Sequence, residues 1–230
     1  MKHAAERRQV VDLCLALSRK GYFAATGGNL MVRIDDALVA VTPSATDYLT
    51  MTPEDVCVLR LRDLARVEGH LRPSVESSLH ARVLAARPEV RCSIHTHQPV
   101  ASACALLGLA LDVPPALIGS LGPRVPLAGY APSGSRWLAG KLARVVSAQA
   151  NAYLMRNHGV LCCGVDSDAA MRALDDLEQL ARTWLSTRIA GEADRRPERR
   201  EALLRVQASL LANVPHESAV APAPTPSPSP

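Results

Sequence analysis

His95 and His97 stand two residues apart in the run Val90-Arg91-Cys92-Ser93-Ile94-His95-Thr96-His97, whose alternation predicts a strand. Side chains two apart on a strand leave the same face, so both imidazoles can reach one metal ion. Taken alone, the pair serves equally well as two hydrogen-bonding groups, and a third ligand decides. His158 is a candidate, because Arg156-Asn157-His158-Gly159 lies between two apolar runs and a glycine there lets the backbone turn closely, although a lone histidine at such a loop reads more readily as structural. Glu76 follows Pro73-Ser74-Val75 at the start of a predicted helix, where the macrodipole favours a carboxylate. By its position alone it reads as a helix-end acid. Asn29, after Gly27-Gly28, and Ser44, in Thr42-Pro43-Ser44, lie at turns whose backbone N–H groups and polar side chains could cradle an anion.

The elements that must position these groups alternate between strand and helix. A helix through Val10, Val11, Cys14, Leu15 and Leu17 stops at Gly21. Leu30 to Ile34 and Leu38 to Thr42 read as a hairpin turning at Asp35-Asp36. Thr52-Pro53-Glu54-Asp55 predicts a short helical turn before a strand from Val56 to Leu61, and a charged loop then runs to Arg72. Helices are expected from Glu76 to Ala86, Val100 to Leu107 and Trp137 to Val146, with an irregular Gly/Pro-rich stretch from Gly108 to Gly134. Ala152 to Met155 and Val160 to Cys163 read as buried strands. A long amphipathic helix from Ala169 to about Ile189 sits behind an Asp166/Ser167 cap. A last helix runs through Leu203 to Leu211. This intermingling favours a layered α/β domain over a bundle or sandwich. The domain is expected over residues 1–214, and a Pro/Ala/Ser-rich tail over 215–230 is expected to be disordered.

Composition narrows the function classes. The 230 residues are 48% hydrophobic and 21% charged, enough to bury one sizeable core. A net charge of +4 demands no polyanionic partner, and two Trp, four Tyr and one Phe are too few for nucleic-acid stacking platforms, so no nucleic-acid partner is expected. No apolar run approaches the roughly 18 residues of a spanning helix, and no apolar leader precedes a cleavage site, so no membrane association is expected. The six cysteines form no C-x-x-C pair and sit mostly in apolar stretches, as reduced thiols of a cytoplasmic protein would.

In order, the blocks TGGNLMVR, VTPSATDYLTMTPEDV, PSVESSLHARVLAARPEV, IHTHQPVASA and NHGVLCCG, followed by the long amphipathic helix, resemble the class II aldolase and adducin family over roughly Arg7 to Arg188. The resemblance implies a three-layer α/β/α domain with a central, mostly antiparallel β-sheet, assembled as a homotetramer with active sites between subunits. It implies that His95, His97 and His158 hold Zn2+ or another divalent metal, with an open position for the oxygens of a hydroxy-ketone. It assigns proton transfer to Glu76, where the related 4-epimerases carry Asp, and it places Gly28, Asn29, Ser44 and Ser74 around a substrate phosphate. Two family donors are replaced, by Ala45 and Val75, and Met31 stands where a serine is usual. The expected activity is retro-aldol cleavage of a small ketose phosphate or similar hydroxy-carbonyl compound, a carbon–carbon lyase reaction. Dehydration, decarboxylation or 4-epimerisation of a sugar phosphate in the same family are the enzymatic alternatives. A non-catalytic, adducin-like assembly protein is the other, and retention of all three histidines argues against it.

Overall fold

The computed structural model describes residues 1–23 and 27–212. The expected tail over 215–230 lies outside the described residues. In chain order the elements are α1 (Ala4–Arg19), β1 (Asn29–Arg33), β2 (Leu38–Val41), β3 (Cys57–Arg60), β4 (Arg66–Glu68), α2 (Ser77–Ala86), β5 (Cys92–Thr96), α3 (Pro99–Leu107), β6 (Leu111–Asp112), α4 (Ile118–Leu121), β7 (Arg124–Val125), β8 (Leu127–Ala128), α5 (Arg136–Ala143), β9 (Ala152–Met155), β10 (Gly159–Gly164), α6 (Ser167–Arg195) and α7 (Arg200–Ala212). Eight strands form one sheet in the order β4-β3-β2-β1-β5-β10-β9-β8. Every pairing in it is antiparallel except β8 with β9.

Both faces of the sheet are covered, which is why its central strands are buried at every position. One face packs Leu30, Val32, Ile94, Val160 and Cys162 against α1, α3 and α6. The other packs Met31, Val39, Leu161 and Cys163 against Leu79, Val83 and Leu84 of α2 and Leu138 and Leu142 of α5. The adjacent Cys162 and Cys163 therefore enter opposite cores, following the two-residue period of a strand. All six cysteines are free and buried. The three-layer α/β/α arrangement is the one expected.

Local differences from the sequence reading have identifiable causes. The β1–β2 turn is held by Asp35, whose Oδ1 accepts from the amides of Ala37 (2.8 Å) and Leu38 (2.7 Å). At Thr52–Asp55 the Asp55 carboxylate accepts from the Thr52 amide and hydroxyl, closing a turn too short to be a helix. The charged loop before Arg72 contains β4, an exposed edge strand with no apolar alternation to reveal it. Its anchor is remote: buried Arg7 on α1 reaches Glu68 at 2.8 Å and the Val56 carbonyl at 2.9 Å. The Gly/Pro-rich stretch carries five very short elements: β6, a 3-10 turn at Pro115–Leu117, α4, β7 and β8. The long helix α6 continues to Arg195, past the expected end near Ile189.

Candidate active site

On β5, Cys92 and Ile94 face the core beneath α1 and α6, so Ser93 and His95 face the α2 side. His97 lies just beyond the strand and is exposed, whereas His95 is completely buried. His158 comes from the three-residue connection between β9 and β10, where Asn157 takes a left-handed φ of 55°, a conformation asparagine tolerates better than most residues. The three imidazoles meet: their ligating nitrogens lie within 4.8 Å of one another. The His95 and His158 rings stack with centroids 4.8 Å apart, and His97 stands edge-on to both. Gly159 makes this possible, because a Cβ there would lie 2.6 Å from His97 Cδ2, 2.6 Å from the Thr96 carbonyl oxygen and 3.0 Å from His95 Cε1.

Glu76 completes the cluster from the N-cap position of α2. Ser74 holds the turn that presents it: its hydroxyl accepts from the Glu76 amide at 3.2 Å, and its carbonyl accepts from the Ser77 hydroxyl at 2.6 Å. Glu76 is 5% exposed. Oε1 lies 3.0 Å from His158 Nε2 and Oε2 lies 3.3 Å from His95 Nε2. The same oxygens accept hydrogen bonds from Ser133 Oγ at 2.7 Å and Asn29 Nδ2 at 2.9 Å. Burial opposes ionisation, but His158, His95 and Asn29 outweigh it and hold the Glu76 carboxyl far below the usual carboxylate range.

The donor set fits a metal ion. His95 Nδ1 is 2.7 Å from the Val160 carbonyl, which can only accept, so Nδ1 carries a proton and Nε2 is the nitrogen turned into the cluster. The Nε2 atoms of both His95 and His158 are buried without a hydrogen bond; their approaches to Glu76 are close but not aligned as one. Orphaned buried nitrogens are costly unless something else takes their lone pairs. Burial, followed by the neighbouring His95 and His158, pushes the His97 imidazole down to about 4, keeping it neutral as a ligand must be. Three imidazoles whose nitrogens lie within 4.8 Å of one another, with a carboxylate beside them, have the donor chemistry to hold a metal ion.

The expected anion-binding residues are divided. Asn29 lies in the cluster with its amide on Glu76, and Ser74 supports Glu76 from below. Gly28 has φ 86°, and a Cβ there would meet the Phe23 ring at 2.4 Å and the His95 carbonyl at 2.9 Å; its own carbonyl accepts from Tyr48 Oη at 2.7 Å. Ser44 joins the neighbourhood through a bridge between Pro43 and Pro73, in which the Ser44 amide donates to the Arg72 carbonyl and the Ser74 amide to Thr42. Sequence reasoning missed His80, Ser93 and Ser133. His80 follows Glu76 by four residues, so a shared helix face could have revealed it; Ser133 lies in the Gly/Pro-rich stretch, where no periodicity speaks for it.

Comparison with known proteins agrees with this geometry. Residues 8–185 match the family model described as Class II Aldolase and Adducin N-terminal domain. The 5-deoxy-D-ribulose 1-phosphate aldolase of Bacillus thuringiensis serovar kurstaki is 31% identical over 84% of this chain and 90% of its own. The L-fuculose phosphate aldolase of Escherichia coli K12 is 29% identical over 78% of this chain and 82% of its own. A solved structure of an L-fuculose 1-phosphate aldolase superposes with a TM-score of 0.75 at 26% identity, covering 82% of this chain and 88% of that one. The chain belongs to the class II aldolase and adducin family. No helix among the described residues is long and apolar enough to cross a membrane.

Proposed function

We propose that the protein is a zinc-dependent aldolase that cleaves a small ketose phosphate by a retro-aldol step. The observation that carries this reading is the Glu76 carboxylate set against the orphaned Nε2 atoms of His95 and His158. In the reaction, the hydroxyl on the carbon that becomes the aldehyde gives up its proton. The carbon–carbon electron pair stays with the ketone-bearing fragment, and a proton is returned to the carbon left behind. Bound zinc would supply positive charge to the oxygens of that fragment as the bond breaks. His95, His97 and His158 would hold the ion. Glu76 would carry the proton at a carboxylate oxygen, with Ser133 and Asn29 keeping both oxygens in position. Names of the relatives support a 1-phosphorylated ketose as substrate. Six buried, unpaired thiols support a reducing cytoplasm. Val75, Tyr130 and Trp137 are 66%, 57% and 74% exposed on the segments flanking Glu76, and they support an assembly, taken here as a homotetramer, that covers this mouth.

Metal analysis of protein purified without chelator or metal affinity, with an aldehyde-release assay on ketose 1-phosphates, tests the reading. One zinc per chain and cleavage are expected, and Glu76→Gln should keep the metal while turnover falls by roughly 100-fold. Near-normal turnover in Glu76→Gln would assign the proton transfer elsewhere.

A further inference from the structure

Behind Glu76 a chain of buried polar groups runs into the centre of the sheet. Asn29, at the start of β1, donates from Nδ2 to Glu76 Oε2 at 2.9 Å. Its Oδ1 lies 2.7 Å from Nε2 of His80, one turn further along α2 than Glu76. His80 Nδ1 lies 2.8 Å from the hydroxyl of Ser93, in the middle of β5. His80 and Ser93 are both 0% exposed, and the Ser93 hydroxyl has no other partner among the described residues.

The polarity of this chain is forced from one end. An ionised Glu76 only accepts, so Asn29 must turn its NH2 toward it and its carbonyl oxygen toward His80. An amide oxygen also only accepts, so His80 Nε2 must carry a proton. Burial holds the imidazole neutral, pushing it down to about 3. Nδ1 is then a bare lone pair and Ser93 must donate to it. The opposite tautomer would turn the Asn29 oxygen onto the carboxylate and set two acceptors against each other.

We propose that His80 is a positioning residue for catalysis: as the Nε2–H tautomer, fixed by Ser93, it locks the Asn29 amide in the orientation that holds and aims the Glu76 carboxylate. His80 is fully buried, and its hydrogen bonds among the described residues go to Asn29 and Ser93 and to none of the three histidines. It acts through Asn29 alone. The catalytic consequence rests on the aldolase reading, whereas the tautomer and the amide orientation do not.

The test therefore has two independent arms. Nitrogen NMR of the zinc-loaded protein labelled at histidine, with the His80 signals assigned by their loss in His80→Phe, should show Nε2 protonated and Nδ1 unprotonated. A protonated Nδ1 overturns the proposal, and this measurement needs no turnover. In the second arm, His80→Phe and Asn29→Ala are each expected to lower kcat on the ketose phosphate that the unmodified protein cleaves, His80→Phe by roughly tenfold, at unchanged zinc content. The double variant should be no slower than Asn29→Ala alone. Losses that multiply mean that His80 acts by a route other than Asn29, and they overturn the proposal. Absence of cleavage by the unmodified protein would instead remove the aldolase reading and leave the tautomer result standing.

Discussion

Replacing Gly159 by Ala puts one methyl group where the metal-binding residues pack closest. Its Cβ would lie 2.6 Å from the Thr96 carbonyl oxygen and from His97 Cδ2, and 3.0 Å from His95 Cε1. Carbon contacts become favourable only near about 3.5 Å, so every one of these approaches is strongly repulsive. The His97 ring can yield, because it is exposed. The Thr96 oxygen cannot, because Thr96 is paired with Val160 in the β5–β10 ladder. The strands must part locally, and the Val160 carbonyl that fixes His95 Nδ1 moves with them. Overpacking of this kind costs about 1–3 kcal/mol, and for a chain of this length each kcal/mol lowers the melting midpoint by roughly 2–4 °C. Loss of the group that orients a ligating histidine weakens metal binding by about 10- to 100-fold. Zinc titration of the metal-stripped variant against a chromophoric chelator, with thermal unfolding in parallel, measures both effects. A Gly159→Ala protein that melts lower but binds zinc with unchanged affinity would refute the reasoning, because strand packing and ligand geometry would then be separable.

Ala45 sits at φ 53°, a left-handed conformation that costs a Cβ-bearing residue roughly 1–2 kcal/mol and glycine far less; Ala45→Gly should therefore raise stability to urea by up to about 1 kcal/mol, after glycine's own unfolded-state entropy is deducted. His80 should make the fold acid-sensitive. Its imidazole titrates near 3 when folded and near about 6.5 when unfolded, so the unfolded chain binds the extra proton and stability falls as pH drops from about 6.5 toward 3. Urea unfolding of His80→Phe should show a pH slope shallower than the unmodified protein's by about 1.4 kcal/mol per pH unit in that window. Val75→Ser should lower KM for a phosphorylated ketose by up to roughly tenfold relative to its unphosphorylated counterpart, and an equal change for both would mean that position 75 does not face the phosphate.

What the sequence disclosed about the site depended on how far apart in the chain its parts lie. His95 and His97 share a strand phase, so local spacing was enough to pair them. His158 and Glu76 come from other elements, and no periodicity relates position 76 to position 158; only the ordered blocks of the family resemblance did. The antiparallel hairpins around β1, β5 and β10 were legible because their strands are continuous apolar runs between turn residues. The edge strand β4 was not, since what holds it is its pairing with β3 and an ion pair from Arg7 to Glu68 rather than an apolar face. Ser133 was hidden for a similar reason: it meets Glu76 by loop geometry in a stretch rich in glycine and proline. His80 was different. Its shared helix face with Glu76 was visible, but nothing in one sequence could show that Ser93 and Asn29 lie at its two nitrogens.

The two ends of the site are built to different tolerances, and this bears on which substrates it can distinguish. At the histidine end the groups are closely held: Val160 fixes His95, Ser133 and Asn29 fix Glu76, and Gly159 leaves little room for a different packing. At the Ser44 and Ser74 end the backbone is well held by the Pro43–Pro73 bridge, but its amide donors are already used. The Ser44 amide goes to Arg72 and the Ser74 amide to Thr42, which leaves the Ser44 hydroxyl and the O–H of Ser74, whose oxygen accepts from the Glu76 amide, as the donors for an anion. Ala45 and Val75 add no side-chain donor, and Val75 is exposed and set against Gly134. Fewer free donors mean less binding energy for a distal anion than for the oxygens held at the histidine end. Discrimination should therefore fall mainly on the hydroxy-ketone portion that reaches His95, His97, His158 and Glu76, with the group at the far end of the substrate selected more loosely.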